Sequence, residues 1–122
     1  MSYKTLIVED DPSIAALYKQ FLLIDGLESD IARNAAEAIC KIDDIDYDII
    51  ILDICLPVKS GMFVVKYLEE KKKNPKIMVI SAIPLICQPD YYAVKRAASV
   101  FLEKPVDYEE LICSFRKLLP KK

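Results

Sequence analysis

The centre of the predicted fold of this 122-residue chain is Tyr47-Asp48-Ile49-Ile50-Ile51-Leu52-Asp53-Ile54-Cys55-Leu56-Pro57. The middle of this stretch is an unbroken apolar run without the polar alternation of a strand that has one face in water. Such a run predicts a strand covered on both faces, as in the middle of a parallel sheet. The run delivers one carboxylate, Asp53, at its end, and Pro57 then stops it.

The position of Asp53 points to chemistry. In open α/β sheets, ligands bind in the crevice beyond the carboxyl ends of the strands, and Asp53 stands at such an end. The alternative is that Asp53 caps the next helix. That role is less favoured, because Pro57 and Lys59-Ser60-Gly61 separate it from the first apolar residues of the helix.

Strand and helix patterns alternate five times from one end of the chain to the other. Such alternation predicts parallel strands joined by right-handed crossovers, with helices on both faces of the sheet. The fold class is therefore α/β, a three-layer doubly wound (βα)5 sandwich. A length of 122 residues fits one domain, 1–122, and leaves no room for a second. Three aspartates are predicted to cap helices, namely Asp11, Asp90 and Asp107.

Composition excludes several classes of function. The net charge is −2 and no stripe of Lys and Arg appears, which argues against direct nucleic-acid binding. The chain has no histidine, so Ser-His-Asp and Cys-His triads and histidine-ligated metals are excluded. No segment approaches the about 20 apolar residues of a membrane span. We therefore expect no signal peptide, no membrane anchor and a cytoplasmic location.

The four cysteines are widely spread and form no C-x-x-C pair, so they indicate neither a zinc site nor a redox motif. We expect them to be small buried hydrophobic residues. They are Cys40, Cys55, Cys87 and Cys113.

Polar side chains follow four of the five predicted strands. The carboxyl ends of parallel strands meet at one edge of a sheet, so these side chains should lie close together. Clustered carboxylates repel one another and would hold protons unless a hard divalent cation were bound, and Mg2+ prefers oxygen ligands. The residues are Glu9 and Asp10 after the first strand, Asp53 after the third, Ser81 after the fourth and Lys104 after the fifth.

The motifs at these strand ends resemble, over essentially the whole chain, the receiver domain of two-component response regulators. They are Val8-Glu9-Asp10-Asp11-Pro12, Leu52-Asp53-Ile54-Cys55-Leu56-Pro57 with Gly61, Ser81-Ala82, and Phe101-Leu102-Glu103-Lys104-Pro105. The chain is similar to the stand-alone chemotaxis-type receivers of that family. The resemblance implies a flavodoxin-like, five-stranded parallel sheet.

The resemblance also implies a phosphorylation site. Asp53 would accept a phosphoryl group from a sensor histidine kinase or a phosphotransfer protein, and Ser81 and Lys104 would contact the phosphoryl oxygens. Mg2+ would be the cofactor, held by Glu9, Asp10, Asp53 and the main-chain carbonyl of Cys55. The chain would be no enzyme beyond its own phosphotransfer and dephosphorylation.

A switch and an output surface are implied in the same way. Ser81 and Phe101 would be the switch residues, and the fourth helix, fifth strand and fifth helix would form the face that binds a downstream output protein. The Lys104-Pro105 peptide bond would be cis. Three positions are noted against the family pattern: Leu56 replaces a usual methionine, Ala97 stands where glycine is common, and Phe101 holds a position that is usually tyrosine or another aromatic residue.

Other functions remain as alternatives. A degenerate receiver would act only as a phosphorylation-independent interaction module, against which the complete acid trio with Ser81 and Lys104 argues. An aspartyl-phosphate hydrolase would need an acid two residues after Asp53, where Cys55 stands. A flavin carrier would need a phosphate loop rich in Gly, Ser and Thr after the first strand, where this chain has acids. The sequence names no kinase, signal, output or oligomeric state, although its end soon after the last helix favours a stand-alone receiver or an isolated domain.

Overall fold

A computed structural model describes residues 3–56 and 59–119. Strands and helices alternate in these ranges, and none of the helices there is long and apolar enough to cross a membrane. Pro57, which we predicted to stop the third strand, lies outside the described residues. The elements are β1 (Thr5–Val8), α1 (Pro12–Ile24), β2 (Asp30–Ala32), α2 (Ala35–Asp44), β3 (Ile49–Asp53), α3 (Met62–Glu70), β4 (Lys76–Ser81), α4 (Tyr91–Ala97), β5 (Val100–Glu103) and α5 (Tyr108–Leu118).

The strands form one parallel sheet in the order β2-β1-β3-β4-β5. This is the flavodoxin-like order of a doubly wound sheet, so the predicted fold is confirmed. β3 is central and buried at every position, as its apolar run predicted, while the short β2 is an edge strand. Asp53 pairs in register with Ile80, so the carboxyl end of β3 lies beside that of β4.

Two apolar layers cover the two faces of the sheet because side chains alternate along each strand. Ile50 and Leu52 face the cluster that includes α2, α3 and Val94 of α4. Ile49 and Ile51 face the cluster that includes α1 and α5. A strand buried on both faces is thus explained by helices on both sides of the sheet.

Two of the three predicted caps are present. Asp11 accepts a hydrogen bond from the Ser13 N–H at 2.9 Å, and Asp107 accepts one from the Glu110 N–H at 2.8 Å. Asp90 stands before α4, but its side chain caps nothing in the described part of the chain. Its ψ of 52° lies outside the extended region that a capping residue usually adopts. The prediction for Asp90 was therefore wrong.

The expectation that the cysteines are buried was also wrong, since all four are exposed. Cys40 lies off the face of α2 that carries Ala38 and Ile42 into the core. Cys113 follows the buried Ile112 on α5 but points away from the core. Cys55 and Cys87 lie after β3 and β4, outside the sheet. The apolar character of cysteine did not predict burial here, because the exposure of each side chain depends on the phase of its helix or on the path of its loop.

The end of α1 is tied to α5 by one carboxylate. Asp25 accepts hydrogen bonds from the Tyr108 hydroxyl at 2.5 Å and from Arg116 Nε at 2.9 Å. These two hydrogen bonds hold the pKa of Asp25 below its ordinary value. The contact joins the two helices that cover the same face of the sheet.

We expect Asp25→Asn to lower the free energy of unfolding at neutral pH, because the amide cannot replace a carboxylate that accepts from both partners. The folded-state pKa is depressed, so this stabilisation is present above the ordinary value of 3.8 and is lost as the pH falls through the lower folded value. Urea unfolding of parent and variant between pH 7 and 3 measures it, with the exposed Glu28→Gln as control. A gap between parent and variant that does not narrow below about pH 4 would contradict this explanation.

Candidate functional site

Three carboxylates meet at the carboxyl edge of the sheet. Glu9, directly after β1, is 2% exposed, and Asp53, the last residue of β3, is 4% exposed. Asp10 is exposed beside them. One oxygen from each of the three lies within 4.8 Å of the others. The predicted acid trio is therefore assembled.

Lys104 lies against the two buried members of the trio. Its Nζ is 2.7 Å from Glu9 Oε1 and 3.0 Å from Asp53 Oδ2. The main-chain N–H of Lys104 donates to the main-chain carbonyl of Ser81 at 2.9 Å. This bond fixes the start of the loop after β5 against the end of β4. The Lys104-Pro105 bond is cis, as expected. One ammonium group thus pairs with two buried carboxylates at the ends of different strands.

The pKa values reflect this arrangement. Burial raises the pKa of Glu9, and hydrogen bonds from Lys104 and from the Asp11 N–H only partly oppose the rise. Burial disfavours the charged form of Lys104 too, but its hydrogen bonds to Glu9 and Asp53 outweigh that effect and raise its pKa. Lys104 is therefore a permanent cation of the site at neutral pH.

The loop after β3 holds the second oxygen of Asp53. The Cys55 N–H donates to Asp53 Oδ1 at 2.9 Å, and the Gly61 N–H donates to the Ile54 carbonyl at 2.8 Å. A Cβ at position 61 would lie 2.5 Å from the main-chain oxygen of Asp53. Gly61 is thus required by close approach of the backbone, since its φ of −59° is open to any residue.

Ser81 ends β4 and is fully buried. Its Oγ lies 3.8 Å from Cys55 Sγ, and so faces the loop that holds Asp53. The Ile83 N–H and Gln88 Nε2 both donate to Ser81 Oγ. Sequence reasoning did not single out Gln88. Its only signal was a lone amide in an apolar loop between two prolines.

Phe101 does not belong to the acid cluster. It pairs in register with Val79 on β4 and is half-buried against the core cluster that includes α3 and Val94 of α4. Tyr92 on α4 is 79% exposed, and its ring meets that of Tyr91 edge to face at 5.0 Å. The predicted output face therefore carries an exposed aromatic side chain.

Comparisons with known proteins show the family to which a chain with this fold belongs. The response regulator receiver domain family matches residues 5–116. The chain therefore belongs to that family, and its class is a phosphoacceptor domain of two-component signalling. It is 28% identical over 116 residues to the transcriptional regulatory protein TrcR of Mycobacterium tuberculosis, covering 95% of this chain and 45% of TrcR.

Other relatives extend the comparison. The probable transcriptional regulator ycf29 of Porphyra purpurea is 30% identical over 120 residues, which is 98% of this chain and 57% of that protein. The chain spans about half the length of these curated relatives. The structure of Thermotoga maritima TrrA in complex with Mg2+ and BeF is similar at a TM-score of 0.84 and 34% identity, covering 98% of this chain and all of that one.

The charge balance of the site predicts the effect of removing its ammonium group. Lys104→Met leaves two buried carboxylates without their cation, which should cost about 3–5 kcal/mol of folding free energy in metal-free buffer. Urea unfolding with a chelator present measures the loss. Lys66→Met, at an exposed lysine, is the matched control. If both variants unfolded at the same urea concentration as the parent, Lys104 would not be neutralising the site.

Proposed function

We propose that Asp53 is the phosphoacceptor of this receiver domain. The observation that carries the proposal is the environment of its carboxylate. Oδ2 lies 3.0 Å from the Lys104 ammonium, Oδ1 accepts from the Cys55 N–H, and two further acids stand alongside. Phosphoryl transfer requires positioning and charge neutralisation more than covalent help. A carboxylate that is held in one orientation, with an ammonium group on one side and further acids beside it, meets these requirements.

Mg2+ is the proposed cofactor, and the residues fit it. Carboxylate oxygens are ligands that Mg2+ prefers, and one oxygen from each of Glu9, Asp10 and Asp53 lies within 4.8 Å of the others. The main-chain carbonyl of Cys55 is the fourth proposed ligand. When bound, the ion would neutralise the acids and the incoming phosphoryl oxygens. The similar TrrA structure contains Mg2+ with BeF.

The proposed reaction needs no general base. A carboxylate oxygen of Asp53 forms the new P–O bond, the P–N bond of a phosphohistidine on the partner breaks, and the leaving imidazole takes its proton from solvent. Lys104 and the Ser81 hydroxyl contact the phosphoryl oxygens. A carboxylate nucleophile has no proton to lose, which is consistent with a chain that has no histidine.

Partners follow from the same proposal. The donor would be a sensor histidine kinase or a phosphotransfer protein, and the chain would act in the cytoplasm, without binding nucleic acid directly. Its catalysis would be limited to its own phosphorylation and dephosphorylation. The downstream protein would bind the face formed by α4, β5 and α5.

Asp53→Asn should abolish labelling by a small acyl phosphate and by phosphohistidine, because the nucleophile is lost. Intact-mass measurement after incubation with the donor and Mg2+ detects the added phosphoryl group. Asp90→Asn, an exposed acid without a cap bond, should label like the parent. Chelation of Mg2+ should stop labelling of the parent. Labelling of Asp53→Asn at the parental rate would exclude Asp53, and would leave a degenerate receiver or another acceptor.

Phosphorylation should change the output face through Ser81 and Phe101. Ser81 would move toward the new oxygens, and Phe101, now half-buried, would turn further inward. We expect amide chemical shifts to move around Asp53 and also at Tyr91, Tyr92 and Phe101 when the parent is phosphorylated. Shifts confined to the neighbourhood of Asp53 would contradict the coupling.

The phosphorylated form should hydrolyse slowly for a receiver. Cys55 and Ile83 are exposed and stand two residues after Asp53 and Ser81, beside the proposed phosphoryl position. Neither side chain is a good hydrogen-bond partner, so an attacking water is not held in line. The loss of phosphate from the parent is compared with that from an Ile83→Glu, Cys55→Asn double variant at the same Mg2+ concentration. A double variant that loses phosphate no faster than the parent would show that these side chains do not control the water.

A further inference from the structure

The loop between β4 and α4 has one buried polar side chain. The segment 82–90 contains a short 3-10 turn, Leu85–Cys87, in which Ile86 is 77% exposed. Gln88 follows the turn and is only 5% exposed. A buried amide is costly unless it is hydrogen-bonded, so the partners of Gln88 define what it does.

The amide nitrogen of Gln88 has two partners. Nε2 lies 2.7 Å from the Ile83 carbonyl oxygen and 3.2 Å from Ser81 Oγ. The carbonyl can only accept, so the atom that faces it must be the nitrogen and not the amide oxygen. One N–H therefore binds Ile83 and leaves the other to donate to Ser81. Ser81 Oγ is the acceptor in that bond.

The hydroxyl of Ser81 is thereby given one direction. Its Oγ also accepts from the Ile83 N–H at 3.1 Å. A serine hydroxyl has two acceptor lone pairs and one hydrogen, and both lone pairs are occupied. The hydrogen is left on the side of Cys55 Sγ, a weak acceptor 3.8 Å away. Cys55 also donates its N–H to Asp53, so this is the side on which the phosphoacceptor lies.

We propose that Gln88 is a positioning residue that holds the Ser81 hydroxyl as a donor toward a phosphoryl group on Asp53. The proposal rests on the function proposed above and deepens it. A phosphoryl oxygen is a far stronger acceptor than a thiol, and Ser81 can turn its hydrogen to it by giving up only the weak 3.8 Å contact with Cys55 Sγ. A donor oriented in advance needs less reorganisation during the transfer.

A purely structural role for Gln88 would be to pin the 82–90 loop through Ile83. The two roles differ in their dependence on Ser81. If Gln88 acts through the hydroxyl, its removal matters only while the hydroxyl is present. If it only shapes the loop, its removal matters equally without the hydroxyl. A double-mutant cycle separates them.

The cycle consists of the parent, Gln88→Met, Ser81→Ala and the double variant. Methionine keeps the length of the side chain but has no donor. The rate of labelling by a small acyl phosphate is measured over a range of donor and Mg2+ concentrations. We expect Gln88→Met to slow the saturated rate about tenfold in the parent, and to have no further effect in Ser81→Ala. The same slowing in both backgrounds, or none in the parent background, would overturn the proposal.

Gln88→Glu tests direction at nearly constant shape. A carboxylate accepts and cannot donate, so it would draw the Ser81 hydrogen away from Asp53. This variant should label at least as slowly as Gln88→Met, and labelling at the parental rate would contradict the proposal. A parent that fails to label at all would instead overturn the proposed function.

The parent offers a spectroscopic test that does not depend on whether the variants fold. Both side-chain amide protons of Gln88 are in hydrogen bonds within the protein. We expect two separate resonances that exchange slowly with solvent, and that shift while staying protected when Mg2+ and beryllium fluoride are added. Rapid exchange of these protons would show that Gln88 does not hold Ser81.

Discussion

One ammonium group shared by two buried carboxylates is the interaction on which the site depends. Lys104 reaches Glu9 at 2.7 Å and Asp53 at 3.0 Å, and of these acids Glu9 follows β1 whereas Asp53 ends β3. Without that cation, Glu9 and Asp53 would be buried with no opposite charge beside them, which is strongly destabilising. The sheet order that places β1 beside β3 is therefore a requirement of the chemistry as well as of packing.

Much of the architecture could be predicted because it follows from local patterns. The apolar run that ends at Asp53 predicted a central strand, and β3 is buried at every position. Polar residues at strand ends predicted an acid cluster, because parallel strands bring their carboxyl ends to one edge. Glu9, Asp10, Asp53 and Lys104 lie together there.

Features that depend on tertiary detail were not predictable in this way. Whether a cysteine is buried depends on the exact phase of its helix or the path of its loop, and all four are exposed. Asp90 has the right side chain for a cap but not the backbone conformation. Gln88 gave no periodic signal, since its importance comes from two hydrogen bonds made inside an irregular loop.

The central claim is that a phosphoryl group is accepted by the carboxylate that Lys104 and the Cys55 N–H orient. Borohydride reduces an acyl phosphate on aspartate to homoserine, which marks the modified position permanently. Peptide mapping of the protein after treatment with a small phosphodonor, Mg2+ and borohydride therefore locates the acceptor. We expect homoserine at position 53 alone. Homoserine at another aspartate, or none in a protein that has gained phosphate, would contradict it.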